Sequence, residues 1–160
     1  MAPTPENVNA LLALVNSQTL AVKLIVYSGD LVLNDLREAL LRWWPSLDHT
    51  WEWRDALLNI FRRVGYLGTA PPPQAPVSVH RGVSTAEHRD GLSWTTDFER
   101  ARWFATDSRN AGGAEQGFVY SLEAPPEIVL GRFTDRSEDE YVLDFELLPG
   151  SHETPVRRSY

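Results

Sequence analysis

The chain contains no cysteine among its 160 residues. That excludes disulfide frameworks, thiolate zinc centres and cysteine nucleophiles, and it is compatible with a reducing cytosol. No GxGxxG or Walker-type glycine loop is present, so a doubly wound nucleotide fold is not expected. The four histidines, His49, His80, His88 and His152, show no HExxH or comparable spacing, which argues against a metal-dependent hydrolase. Long apolar runs are missing too: the longest, Leu20 to Tyr27, is broken by Lys23 and is too short to span a bilayer. Positive charge is in deficit. A formal net charge of −7 argues against nucleic-acid binding through bulk electrostatics, although a local basic patch is compatible with it. Met1-Ala2-Pro3-Thr4-Pro5 lacks the basic start and apolar core of a signal peptide. The expectation is a cytoplasmic protein, or one delivered into a target cell without a classical signal peptide.

What is present divides in two. Four prolines fall within Thr69-Ala70-Pro71-Pro72-Pro73-Gln74-Ala75-Pro76, which enforces extended backbone and excludes helix. We read residues 1–68 as a helical N-terminal segment, 69–76 as a Pro-rich connector and 77–160 as a β-rich core, one compact domain overall. In the first part, Val8, Leu11, Leu12 and Val15 recur at helical spacing. Asn34 or Asp35 can cap a second helix whose stripe is Leu36, Ala39, Leu40 and Trp43, ended by Pro45. A third helix from near Asp48 to Thr50 buries Trp53, Leu57, Ile60, Phe61 and Val64 and stops at Gly65. Leu20 to Tyr27 is ambiguous between helix and strand. Trp43, Trp44, Trp51 and Trp53 are read as core, because aromatics at helical spacing usually pack inward.

The second part alternates turns and short strands. Strands are expected over Val77 to Arg81, Leu92 to Thr95, Gly117 to Leu122, Ile128 to Leu130 and Tyr141 to Phe145. Asp97 to Ala105 reads as a helix capped by Thr96 or Asp97, and Asn110 to Gln116 as a loop. Short strands with one interposed helix make an α+β domain.

Three elements carry chemistry. His80-Arg81-Gly82 closes a strand with a cation beside a residue that admits close backbone approach, and arginine can fork onto a phosphate or carboxylate. Alone, such a pair is most often a surface turn. Ser93-Trp94-Thr95 sets two hydroxyls on one face of an extended segment and Trp94 on the other, an arrangement equally expected of a turn leading into a capped helix. Ser137-Glu138-Asp139-Glu140 leads into the apolar run Tyr141-Val142-Leu143. Strand alternation puts Glu138 and Glu140 on one face, with Asp139 opposite. Side-by-side carboxylates repel each other. A solvated acidic loop would explain them, but Glu140 abuts the core run. A site that stabilises a developing positive charge needs such a pair.

In this order, strand-Arg-Gly, Ser-x-Thr before a helix, and Glu-x-Glu at a strand start, the chain resembles the R-S-E class of mono-ADP-ribosyltransferases. That class includes bacterial toxins, phage enzymes and vertebrate arginine-modifying ectoenzymes. The resemblance covers Val77 to about Phe145. The helix Asp97 to Ala105 after Ser93-Trp94-Thr95 is where the family places one.

The resemblance implies an ADP-ribosyltransferase-like split β-sheet core preceded by an N-terminal helical segment. It also implies NAD as substrate with no metal. Arg81 would hold the diphosphate or adjoining ribose, and Gly82 would offer its backbone to the nicotinamide carboxamide. Ser93 would fix the catalytic glutamate, Thr95 would support the site, and Phe104 or Tyr120 would line the nicotinamide pocket. Glu140 would be the catalytic glutamate and Glu138 would assist the incoming nucleophile, which the family associates with arginine acceptors. The middle motif departs from the commoner Ser-Thr-Ser. Gly131 to Ser137 occupies the place of the substrate-recognition loop, with Phe133 off its usual offset and Arg132 and Arg136 nearby. The partner would be a target protein presenting an acceptor side chain, with no membrane or nucleic acid. The competing expectations are an NAD glycohydrolase with the same glutamates, and a non-catalytic module on the same fold.

Overall fold

The structure is a computed structural model, and it describes residues 33–46, 50–108, 111–112, 115–134 and 139–158. The expected elements over Val8 to Val15 and Leu20 to Tyr27, as well as Glu138, lie outside the described residues. The chain separates into two units, Met1–Leu67 and Gly68–Tyr160.

In the first unit, α1 spans Leu33–Trp43 and α2 spans Arg54–Val64. Helix α1 begins at Leu33, so Asn34 and Asp35 fall inside it rather than at its cap. Leu36 and Leu40 of α1, one helical turn apart, are fully buried. Thr50–Trp53 forms a 3₁₀ turn, and the α-helix starts only at Arg54, where the expected helix is tighter at its entrance. On α2 the buried set is Leu57, Leu58, Ile60, Phe61 and Val64, a stripe of helical period. Trp44 is 3% exposed and meets Phe61 edge to face with centroids 4.9 Å apart. Arg37 of α1 donates to the carbonyls of Val64, the last residue of α2, and of Tyr66 just past it. It thereby satisfies acceptors that a helix C-terminus leaves open.

Among the described residues the strands are β1 (Leu67–Gly68), β2 (Val77–Val83), β3 (Ser93–Thr95), β4 (Gln116–Ala124), β5 (Val129–Phe133), β6 (Glu140–Leu143) and β7 (His152–Arg157). Helix α3 (Phe98–Thr106) lies between β3 and β4 in the chain. The strand order is β1-β5-β6-β3-β2-β4-β7, which together with the helices makes a mixed α+β architecture.

The pairing across this sheet is uneven. β2 and β4 pair antiparallel from Val77 opposite Ala124 to Val83 opposite Phe118 without interruption. β3 and β6 pair over Ser93–Val142, Trp94–Tyr141 and Thr95–Glu140. Between these two halves, β2 meets β3 at one pair, His80 opposite Thr95.

β4 and β5 run to Ala124 and Phe133, past the expected Leu122 and Leu130, and other differences have a visible physical reason. β2 does not turn at Gly82. A Cβ there would stand 1.6 Å from the Ala101 carbonyl oxygen, so the glycine lets α3 lie directly on a strand that continues. β6 ends at Leu143 instead of Phe145, because the Asp144 carboxylate accepts from the Glu146 amide at 3.1 Å and starts a 3₁₀ turn. β7 went unforeseen. His-Glu-Thr-Pro-Val-Arg is polar and contains proline, which is tolerated because β7 is an edge strand.

Candidate active site

Cross-strand registers set the faces of the sheet. Phe133, Glu140, Thr95, His80, Ser121 and His152 stand in one transverse row, each opposite the next on the adjacent strand. Directly opposed residues share a face, so this row and Ser93, two residues from Thr95, lie on one side of the sheet. Arg81, Trp94, Tyr141 and Arg132 alternate onto the other side.

Ser93 and Glu140 come together. The Ser93 hydroxyl donates to Glu140 Oε2 at 2.5 Å, the length of a charge-assisted O–H···O⁻ bond. Both residues are half-buried at the ends of short strands beside the single-pair seam. Thr95, 8% exposed, stands opposite Glu140. Its hydroxyl accepts from the Asp97 amide at 3.1 Å, and Asp97 in turn caps α3 by accepting from the Arg100 amide. Thr95 thus couples the strand bearing the site to the start of the helix.

Asp139 has a different environment from its neighbour Glu140. Arg132 donates to it through Nε at 2.9 Å and a second nitrogen at 3.2 Å, and the Thr96 hydroxyl donates at 3.2 Å. Asp139 is paired with Arg132, and Glu140 accepts from the Ser93 hydroxyl. The Tyr141 hydroxyl, beside this pair, has its pKa raised chiefly by burial, then by Asp139, against the opposing effect of Arg132.

Arg81 reaches the site through the backbone. Its Nε donates to the His88 carbonyl and a terminal nitrogen to the Ser93 carbonyl, both at 2.9 Å. Gly91 makes room for it, since a Cβ there would fall 2.2 Å from the guanidinium. Arg81 therefore braces the entrance of β3, which carries Ser93. The close approach that Gly82 permits is made by α3.

His80 is a residue of this face to which the sequence reading gave no role. Its Nδ1 is 2.6 Å from the Ser121 hydroxyl, and its ring meets Phe98 of α3 edge to face at 5.4 Å. Burial lowers its pKa, opposed by Asp97, so the ring is kept neutral near pH 7. The signal that would have found it is the His80–Thr95 register, which no single strand reveals. Phe104 lies on α3 against Trp103, with centroids 5.1 Å apart. Tyr120 alternates onto the far face, where its hydroxyl donates to Glu153 at 2.9 Å.

Among the described residues no cluster of three or more His, Asp or Glu side chains is placed to hold a metal ion, and no helix is long and apolar enough to cross a membrane. Comparison with protein families, with curated proteins and with solved structures finds no match to this chain.

Proposed function

We propose that this protein is an NAD-dependent mono-ADP-ribosyltransferase that moves ADP-ribose to a protein side chain, arginine favoured, and releases nicotinamide. The observation that carries the reading is the hydrogen bond from Ser93 to Glu140 at the seam of the sheet. A serine that holds a strand-end glutamate, with the Arg-Gly strand alongside, is the arrangement the motif order implies. The seam itself, one residue pair between two better-paired half-sheets, supports reading the core as the split sheet of that family.

The chemistry follows from these groups. Nicotinamide in NAD is a cationic leaving group, so the C–N bond to the ribose can break without a general acid, the electron pair leaving with nicotinamide. The transition state resembles an oxocarbenium ion, and a carboxylate held beside the sugar stabilises it. Glu140 supplies that carboxylate, Ser93 orients it, and Arg81 fixes the backbone of Ser93. Gly82, on the β2 edge beside the seam, is where the nicotinamide carboxamide would meet main chain. A guanidinium nitrogen of the acceptor then bonds to the ribose carbon and its proton passes to a carboxylate. That is the role proposed for Glu138. Orientation of these groups matters more than unusual acidity.

The test is incubation of the protein with NAD labelled in the adenylate part, together with cell lysate. Label on protein and stoichiometric nicotinamide support the transferase. Free ADP-ribose with unlabelled protein makes it a glycohydrolase with water as acceptor. No turnover makes the chain a non-catalytic module.

A further inference from the structure

Two polar side chains on the α3 side of the sheet have no part in the NAD chemistry. Ser121 of β4 and His80 of β2 stand opposite each other, and the Ser121 hydroxyl lies 2.6 Å from His80 Nδ1. Among the described residues each is the other's side-chain hydrogen-bond partner. The pair sits where the helical cover of the sheet ends. Ala101 and Ala105 of α3 lie over Gly82, Ala105 also over Gly117, and Val119 opposite Gly82 is fully buried. Phe98, the first residue of α3, meets the His80 ring edge to face at 5.4 Å. Two residues further along β2 and β4, Ser78 and Glu123 share this face and are exposed, as is His152 opposite Ser121 on β7. His80 and Ser121 are half-buried between the covered stretch and the exposed one.

We propose that Ser121 is a covalent nucleophile, activated by His80 as general base, that accepts the acyl group of an uncharged ester. This activity is independent of the NAD reading. A serine hydroxyl is a weak nucleophile until a base within hydrogen-bond reach takes its proton, and 2.6 Å is within that reach. The base must be unprotonated, and burial lowers the His80 pKa so that the ring is neutral near pH 7. It must also tolerate the charge it gains. Asp97, at the entrance of α3, acts on the ring in the opposite sense and favours the imidazolium that forms. In the step, Ser121 Oγ bonds to the carbonyl carbon and its proton passes to His80 Nδ1. The bond from that carbon to the leaving alcohol oxygen then breaks, and the alcohol departs with the proton from His80. The products are acyl-Ser121, the free alcohol and a neutral His80. Asp97 and Glu123 are exposed near the pair, and their charge disfavours an anionic ester.

The test treats the whole protein with a fluorophosphonate, a serine-directed electrophile standing in for the ester. Ser121 Oγ bonds to phosphorus, the phosphorus–fluorine bond breaks with loss of fluoride, and His80 takes the hydroxyl proton. Peptide mapping by mass spectrometry should place the label on Ser121. His80→Gln should slow labelling at least about 10²-fold, and Ser121→Ala should abolish it. Ser78→Ala, on the exposed stretch beside the pair, should label at the parent rate. The parent rate should be level from about pH 8 to 6.5 and decline below, as His80 takes up a proton. Asp97 from α3, Glu140 beyond Thr95 and His152 beyond Ser121 are the other titratable groups around the ring in this row. His152→Gln should therefore leave that pH profile in place. A parent that stays unlabelled at Ser121, or one labelled as fast once His80 is replaced, would overturn the proposal. If His80→Gln does not fold, the parent's pH profile carries the test, and a rate that does not change between about pH 8 and 5 would overturn it.

Discussion

The two halves of the sheet are built in different ways. The β2-β4-β7 half is a ladder: β2 and β4 pair at every position from Val77 to Val83, and β4 and β7 from Gln116 to Ser121. Helix α3 seals one side of it through Ala101, Ala105, Val119 and Val156. In the β5-β6-β3 half the strands are short and β5–β6 is irregular at Val129 to Gly131. There, side chains do much of the holding. Arg81 clamps the carbonyls of His88 and Ser93, and Arg132 and Thr96 clamp Asp139. A long ladder leaves few polar groups for chemistry. A short one leaves strand ends, and those ends carry Ser93 and Glu140. On the proposed function, one half is scaffold and the other half carries the candidate site.

Substitutions can break this contrast. The largest effect is expected at Gly82→Val, which drives a side chain into the Ala101 backbone on the scaffold half. It should cost at least about 3 kcal/mol in urea unfolding and abolish activity through loss of fold. Next is Arg81→Ala, which leaves two carbonyls without their donor and opens space beside Gly91. A loss of about 2 kcal/mol is expected, with a fall in kcat because Ser93 is no longer held in place. Ser93→Ala belongs wholly to the site half. Nicotinamide release should drop about 10- to 100-fold through misplacement of Glu140, while the unfolding midpoint moves little.

Smaller effects sharpen the contrast. His80 joins the halves, and burial holds its pKa below the ordinary 6.5. Its neutral form is the one the fold favours, and the unfolded chain takes up a proton first. Stability from this group is therefore complete above about pH 6.5 and is lost as pH falls below it. The difference in unfolding midpoint between parent and His80→Gln, followed from pH 7.5 to 5, should narrow as pH falls. A constant difference would deny His80 that role. Smallest is Asp139→Asn. The Arg132 and Asp139 side chains are 30% and 31% exposed, so breaking the pair should cost no more than about 1 kcal/mol. NAD cleavage should continue at the parent rate, since Asp139 faces away from Glu140.

Much of the geometry of the candidate site was legible because its parts obey local rules. Alternation alone separates Asp139 from Glu140 and puts Ser93 and Thr95 together, and Asp97 advertises the cap of α3. The Ser93–Glu140 hydrogen bond needs the β3–β6 register, which joins residues 47 apart in sequence, and no local pattern encodes it. Arg81 illustrates the same limit: sequence marks a cation beside a glycine, while its direction depends on where the Gly91 turn leaves room. In the fold, the strands from β2 to β6 could be read from their apolar residues and turns, but not β1, two residues long, nor β7, a polar edge strand with proline. Gly82 looked like a turn because a helix crossing a strand at close range demands the same residue.

The central claim is that Glu140, oriented by Ser93, drives cleavage of NAD. It is tested most directly by measuring nicotinamide release from NAD for the parent protein and for Glu140→Gln, with folding of both verified by circular dichroism. The account predicts measurable release by the parent and a rate at least about 10²-fold lower for a folded Glu140→Gln. A folded Glu140→Gln as fast as the parent, or a parent that leaves NAD intact, would contradict it.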